Sequence, residues 1–163
     1  VIATLSKMGD DAGYEVFISC NHSQVEDFEN SKIIVDSIYC IGPLGGLISV
    51  MMALKARHFF ILSCDTPLVS VKTLEIISTE MDDEKIAVCA RNVASGFSEP
   101  TIALWNRTYL TQLKKSADTG NYSLTKVLKS HSFLAIDIPQ GELKNANTID
   151  DWNDVLKYLE LEI

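Results

Sequence analysis

Positive charge is in short supply in this 163-residue sequence: 14 Lys and Arg stand against 22 Asp and Glu, a formal net charge of −8. With a pI near 4.8, this balance argues against nucleic acid or an anionic membrane as the main partner, because both reward a basic surface. Long hydrophobic runs are also missing. The most apolar stretch, residues 41–54, is broken by Gly42, Pro43, Gly45 and Gly46, and nothing approaches the roughly 20 apolar residues of a membrane span. No secretory leader is expected. Cysteine is sparse and lacks metal spacing: Cys20, Cys40, Cys64 and Cys89 form no C-x-x-C, which speaks against a zinc or thioredoxin-like motif. Cys20, Cys64 and Cys89 close apolar runs, so they are expected to pack as small buried hydrophobes in a reducing cytoplasm. His22, His58 and His131 show no metal-like spacing. Neither G-x-x-x-x-G-K-[ST] nor G-x-G-x-x-G occurs, and there is no repeat or low-complexity segment.

What is present is the composition of an ordinary globular domain, 47% hydrophobic and 22% charged, long enough to build one core without staples. One domain over residues 1–163 is expected. Its helices and strands alternate. Residues 1–8 read as the end of a helix, 14–20 and 32–35 as strands, and the spacing of Leu44, Leu47, Ile48 and Met51 as a helix with Pro43 at its first position. The run HFFILSC (58–64) reads as a strand covered on both faces. Ser70 is expected to cap a helix facing inward through Leu74, Ile77 and Met81. Strands follow at 86–89 and 101–105, with a loop at 91–99. Asn106 and Ser123 are expected to cap helices, and 133–138 is a strand. Thr148 and Asp151 form a capping box for a last helix whose face is Trp152, Val155, Leu156 and Leu159. The expected class is α/β with a mostly parallel sheet.

In such sheets ligands bind beyond the carboxyl ends of the strands. Four places qualify. Asp65, delivered by HFFILSC into Asp-Thr-Pro, could hold Mg²⁺ or make an Asx turn before Pro67. Asp36 ends the strand KIIVD and precedes Gly42-Pro43-Leu44-Gly45-Gly46. Small residues at a helix start admit a close ligand, and free N–H groups there attract anions; tight packing of the helix on the sheet is the other explanation. Asn145 and Asn147, at i and i+2, project to one side of an extended segment and could bind a polar ligand, or simply lead into the Thr148 cap. Pro100 opens a strand, where a missing N–H is tolerated. The acidic triplet 82–84 is expected to be a solvated helix end.

Taken in order, GPLGGLISVM, a strand ending in CDTP, then EPTIAL and NANT resemble the molybdenum cofactor guanylyltransferases, the MobA-type nucleotidyltransferases. The resemblance runs from about Val16 to the final helix. It implies a three-layer Rossmann-like nucleotidyltransferase fold and transfer of GMP from GTP to molybdopterin, with Mg²⁺ and release of pyrophosphate. Asp65 would be the Mg²⁺ ligand, and Asn145 and Asn147 would join it at the reacting phosphates or the pterin. Asp36 would lie in the GTP site, with Gly42, Pro43 and Gly46 lining the cleft and Pro100 on the pterin wall. Ser19 stands where the family places an asparagine, and Asn21 follows two residues on; both belong to the expected nucleotide site. The family often carries an arginine where this chain reads Gly120-Asn121-Tyr122-Ser123. It also opens with a strand and a Gly-rich loop, L-A-G-G-x-S-x-R-M-G, that would precede Val1 and are expected to be missing here. Implied partners are the two substrates and other molybdenum cofactor biosynthesis proteins, in the cytoplasm, without nucleic acid or membrane. A cytidylyl or sugar-phosphate nucleotidyltransferase, and a non-catalytic homologue that binds the cofactor or a partner, are the alternatives.

Overall fold

The computed structural model describes residues 2–28, 31–38 and 41–160. The chain runs α1 (Ile2–Asp11), β1 (Ile18–Cys20), a 3₁₀ segment (His22–Phe28), β2 (Ile33–Val35), α2 (Pro43–Ala53), β3 (His58–Leu62), α3 (Val71–Thr79), β4 (Ala87–Asn92), β5 (Ser98–Asn106), a 3₁₀ turn (Arg107–Tyr109), α4 (Leu110–Asp118), α5 (Leu124–Lys129), β6 (Phe133–Ile138) and α6 (Ile149–Glu160). Strands β1 and β2 form a parallel pair of their own; the other four lie in the order β3-β5-β4-β6. In that sheet β4 and β6 are parallel, and β5 is antiparallel to both β3 and β4. Three of the four strands therefore share a direction, and the reversed β5 is what makes the sheet mixed. The crossover β2-α2-β3 links the pair to the larger sheet.

Alternation along the strands divides the core into two layers, as the pleat requires. Ala87, Cys89, Ala103 and Trp105 face Leu44, Leu47, Ile48 and Met51 of α2, Leu113 of α4 and Leu124, Val127 and Leu128 of α5. Val88, Ala90, Ile102 and Leu104 face Leu74 and Ile77 of α3, with Ile138 and Leu143. Helices thus cover both faces of the sheet, giving three layers. Ser70 caps α3 by accepting from Thr73 N, and Ser123 caps α5 by accepting from Lys126 N. The Thr148–Asp151 capping box closes at both ends, with Asp151 N donating to Thr148 Oγ1 at 3.1 Å and Thr148 N donating to Asp151 Oδ2 at 2.9 Å.

Several expectations need correction. The strand at 14–20 shrinks to Ile18–Cys20, because β2 supplies partners only from Ile33 onward. The loop at 91–99 is a short hairpin turn, since β4 runs to Asn92 and β5 begins at Ser98. Asn106 caps the 3₁₀ turn that precedes α4, accepting from Thr108 N. Leu156 is 54% exposed, and Val155 is the buried residue of α6 among its described side chains; the Leu159 side chain and Cys40 lie outside the described set. Cys20 and Cys89 are buried as expected, whereas Cys64 is exposed, because β3 stops at Leu62 and Cys64 sits in the turn beyond it. The acidic triplet is solvated, with Asp82 paired to Lys85 and Asp83 to Arg57. Among the described residues no helix is long and apolar enough to cross a membrane.

Candidate active site

Two constellations form at the carboxyl ends of the strands. The first joins β1, β2 and α2. Ser19 Oγ donates to Asp36 Oδ1 at 2.7 Å, and Asp36 N donates to Cys20 O at 2.9 Å. Gly46 of α2 lies directly against them: a Cβ there would come within 3.0 Å of Ser19 Oγ and 3.5 Å of Asp36 Oδ1. Gly42 is the N-cap of α2, at φ 63° and ψ −150°, a backbone region open only to glycine. Pro43 follows at the first helical position, and no side chain caps the first turn. The N–H groups at this helix start and its positive dipole end favour an anion. Ser19, Asp36, Gly42, Pro43 and Gly46 are thus gathered around the start of α2.

Asn21 is placed differently. Its Oδ1 accepts from Ser23 N at 3.0 Å and Ser23 Oγ at 2.7 Å, so that oxygen is engaged in starting the 3₁₀ segment.

The second constellation centres on Asp65. Ser63 Oγ donates to its Oδ1, and Asn145 Nδ2 donates to its Oδ2 at 3.2 Å. The two loops meet at the main chain as well, through Ala146 N to Asp65 O at 2.7 Å. Glu142 ties the same loops together from below: its Oε2 accepts from Ser70 N at 2.9 Å and Thr73 Oγ1 at 2.7 Å, at the start of α3. Residues 80 positions apart in sequence are thereby held in contact. Asn147 stands apart from Asp65. Its N–H donates to Asp151 Oδ2 at 3.1 Å, and its side chain is exposed.

Pro100 lies where β5 bulges. Between the pairs Cys89↔Ala103 and Ala90↔Glu99, β5 carries Pro100, Thr101 and Ile102. A residue without N–H suits a break in the ladder, and Trp105 Nε1 occupies the freed Pro100 carbonyl at 3.0 Å. Glu99 stands beside the bulge, within range of the Asp65 charge. Burial and the Asp65 charge both hold the Glu99 carboxyl above its ordinary value.

Sequence reasoning singled out neither Glu99 nor Ser63. For Ser63, the only signal was a hydroxyl two residues before the carboxylate. For Glu99 the signal was its place at the head of EPTIAL, but its role went unread because the bulge register is not written in local periodicity.

Chemically, Asp65 presents a carboxylate oriented by two neutral donors, with Glu99 adding negative charge nearby. Among the described residues no Lys or Arg pairs with Asp65 or Asp36. No group of three or more His, Cys, Asp or Glu among them is placed to hold a metal ion by itself. Hard oxygen donors, few in number and short of a counter-charge, fit a small divalent cation that takes one or two protein ligands and completes its shell with water and phosphate. They do not fit a structural zinc site.

A three-layer α/β sheet with a polar site across the carboxyl ends of its strands and a glycine-opened helix start has the layout in which open α/β sheets bind their ligands, and the family match assigns this one to the nucleotidyltransferases. Residues 1–135 match the MobA-like NTP transferase domain, and the chain belongs to that family. A probable molybdenum cofactor guanylyltransferase of Thermococcus sibiricus is 25% identical over 158 residues, covering 90% of this chain and 78% of that protein. One from Bacillus velezensis is 29% identical over 128 residues, covering 74% and 62%. Among solved structures, molybdopterin-guanine dinucleotide biosynthesis protein A from Archaeoglobus fulgidus superposes with a TM-score of 0.78 at 15% identity, covering 98% of this chain and 85% of that one. A CMP:2-keto-3-deoxy-manno-octonic acid synthetase complexed with CTP reaches 0.75 at 13% identity, covering 99% and 88%. At these identities the solved structures establish the fold alone.

Proposed function

We propose that this chain carries out transfer of GMP from GTP to molybdopterin, yielding the guanine dinucleotide cofactor and pyrophosphate. The observation that carries the reading is the Asp65 carboxylate, oriented by Ser63 and Asn145 and left without a cationic partner among the described residues. The family match and the guanylyltransferase names of the relatives support the choice of reaction.

In this reading a phosphate oxygen of the acceptor attacks the α-phosphorus of GTP. One P–O bond forms, the α–β bridge breaks, and pyrophosphate leaves. Such transfers depend on positioning and on charge stabilisation more than on covalent help. Mg²⁺, held by Asp65, would supply neutralisation of the phosphate charge. Ser63 and Asn145 aim the two Asp65 oxygens. The start of α2 receives the nucleotide, with Asp36 held by Ser19 and Gly46 leaving room beside them. Pro100 is assigned to the pterin wall, while Asn21 and Asn147, engaged in the 3₁₀ segment and at the start of α6, stay outside the reacting centre. The reaction is assigned to the cytoplasm, where the buried thiols of Cys20 and Cys89 stay reduced, alongside other proteins of cofactor biosynthesis.

The test is Asp65→Asn in the full-length gene product, assayed with GTP or CTP, Mg²⁺ and molybdopterin. Loss of at least about a hundredfold in Mg²⁺-dependent transfer, with an unchanged melting temperature, is expected for a group that organises transition-state charge. Near wild-type turnover by the variant would refute the role of Asp65. Faster use of CTP by the wild type would replace the guanylyl assignment with a cytidylyl one, and pterin binding without turnover of either nucleotide would mark a non-catalytic homologue.

A further inference from the structure

Ser49 lies in the middle of α2, only 3% exposed, and its hydroxyl is fully used. It donates to Gly45 O at 2.7 Å. It accepts from Ser37 N at 2.8 Å and, with its own proton committed to Gly45, from Ser37 Oγ at 3.1 Å. One donor and two acceptor positions are all that a serine hydroxyl has. The bond back to the carbonyl four residues earlier is a common resting state for a helical serine. The two bonds from Ser37 are not part of that pattern; they tether a separate segment to the helix.

That segment is the one that carries Asp36. On its amino side Asp36 is held through its N–H to Cys20 O, and its carboxylate receives Ser19 Oγ. On its carboxyl side the next residue, Ser37, is held by Ser49. Gly45, whose carbonyl Ser49 occupies, also makes room for this segment: a Cβ on Gly45 would sit 2.7 Å from Ile38 O. The chain beyond β2 is thereby pressed onto α2 one turn from Gly46, the glycine that borders Ser19 and Asp36.

We infer that Ser49 is a positioning residue for the nucleotide site: through Ser37 it fixes where the Asp36 carboxylate stands relative to the start of α2. The inference rests on the reading that Asp36 and Gly46 line the nucleotide cleft. Ser49 itself, buried beneath the segment, touches no substrate. A serine serving only to fill the core would contribute to stability alone. A positioning serine acts on nucleotide binding through Asp36.

The experiment uses the full-length gene product, with GTP·Mg²⁺ affinity measured by calorimetry in the absence of acceptor and with steady-state KM values for both substrates. Ser49→Ala leaves the Ser37 N–H without its buried partner. Converting one such lost hydrogen bond gives about a tenfold weaker GTP affinity, with the KM for acceptor unchanged. Ser49→Thr keeps the hydroxyl and restores binding. In an Asp36→Ala background the Ser49→Ala effect disappears, since coupled residues are non-additive. Should Ser49→Ala fail to fold, the exposed Ser37→Ala, which removes one of the two tethers, gives a smaller loss of the same kind. If Asp36→Ala weakens GTP binding while the Ser49 and Ser37 variants do not, or if their effects add fully, the positioning role is overturned and the nucleotide-site reading stands. If Asp36→Ala itself leaves GTP binding unchanged, both fall.

Discussion

Replacing Gly46 by alanine would separate what α2 needs for stability from what the site needs for binding, and Gly45 is the internal control. A helix-interior glycine costs about 1 kcal/mol relative to alanine, so both substitutions start with that gain. At Gly46 the new Cβ meets Ser19 Oγ at 3.0 Å and Asp36 Oδ1 at 3.5 Å. Ser19 is exposed, so its hydroxyl can rotate away, giving up its bond to Asp36. Because water replaces that bond, the loss falls near about 1 kcal/mol. The two effects nearly cancel, and the melting temperature should stay within about 2 °C of wild type. At Gly45 the Cβ meets Ile38 O at 2.7 Å and Ile41 Cγ1 at 2.9 Å. A backbone carbonyl cannot rotate aside, and overpacking costs about 1–3 kcal/mol. Net of the helix gain, Gly45→Ala should lose up to about 2 kcal/mol, or roughly 4–8 °C.

Binding should order the variants the other way. A methyl group projecting into the Ser19–Asp36 corner should weaken GTP·Mg²⁺ at least about tenfold, the scale of one misplaced methylene in a pocket. Gly45→Ala, facing the 38–41 segment, should retain the greater affinity in its folded fraction. Thermal melts and calorimetric titration with GTP measure both properties. Wild-type GTP affinity in Gly46→Ala, or a melting loss equal to that of Gly45→Ala, would refute the placement of Gly46 at the cleft.

Two further outcomes follow from the titrating groups. Glu99 is neutral in both folded and unfolded states below the ordinary glutamate range. Burial and Asp65 then oppose its ionisation in the folded state, so stability present at low pH is lost as pH rises through the raised value. Glu99→Gln should therefore gain melting temperature relative to wild type as pH rises above the ordinary glutamate value of about 4.3, measured without metal; a difference that stays constant over that rise would contradict the environment described for Glu99. Cys89 is fully buried and its thiol is pushed up to about 11, whereas Cys64 is exposed. A thiol reagent should label Cys64 and spare Cys89 until the protein unfolds, which peptide mass mapping would show; equal labelling of the native protein would contradict the buried β4–β5 core.

Much of the candidate site was legible because its pieces sit next to local punctuation. Asp65 and Asp36 each follow an apolar run, Gly42-Pro43 announces a helix start, and Thr148 with Asp151 spells a capping box. Each is a short-range preference that the backbone obeys wherever the segment lies. The same local reasoning misplaced Cys64, since an apolar run does not reveal where its hydrogen-bonded partner ends.

From the sequence alone came the α/β class, the helix starts at Pro43 and after Ser70 and Ser123, the two strand-end carboxylates and the likeness to a nucleotidyltransferase family. All of these rest on periodicity, caps and motifs within a few residues. Only the tertiary structure decided that β5 runs against its neighbours, that Glu99, beside the bulge at Pro100, lies within range of the Asp65 charge, and that Asn145, rather than Asn147, reaches that carboxylate. It also decided that Gly45 and Gly46, adjacent in sequence, answer to different neighbours, Ile38 and Ser19. The reason is physical: strand direction, register and contact across 80 residues are set by which surfaces bury one another in the folded chain, and no local preference encodes that choice.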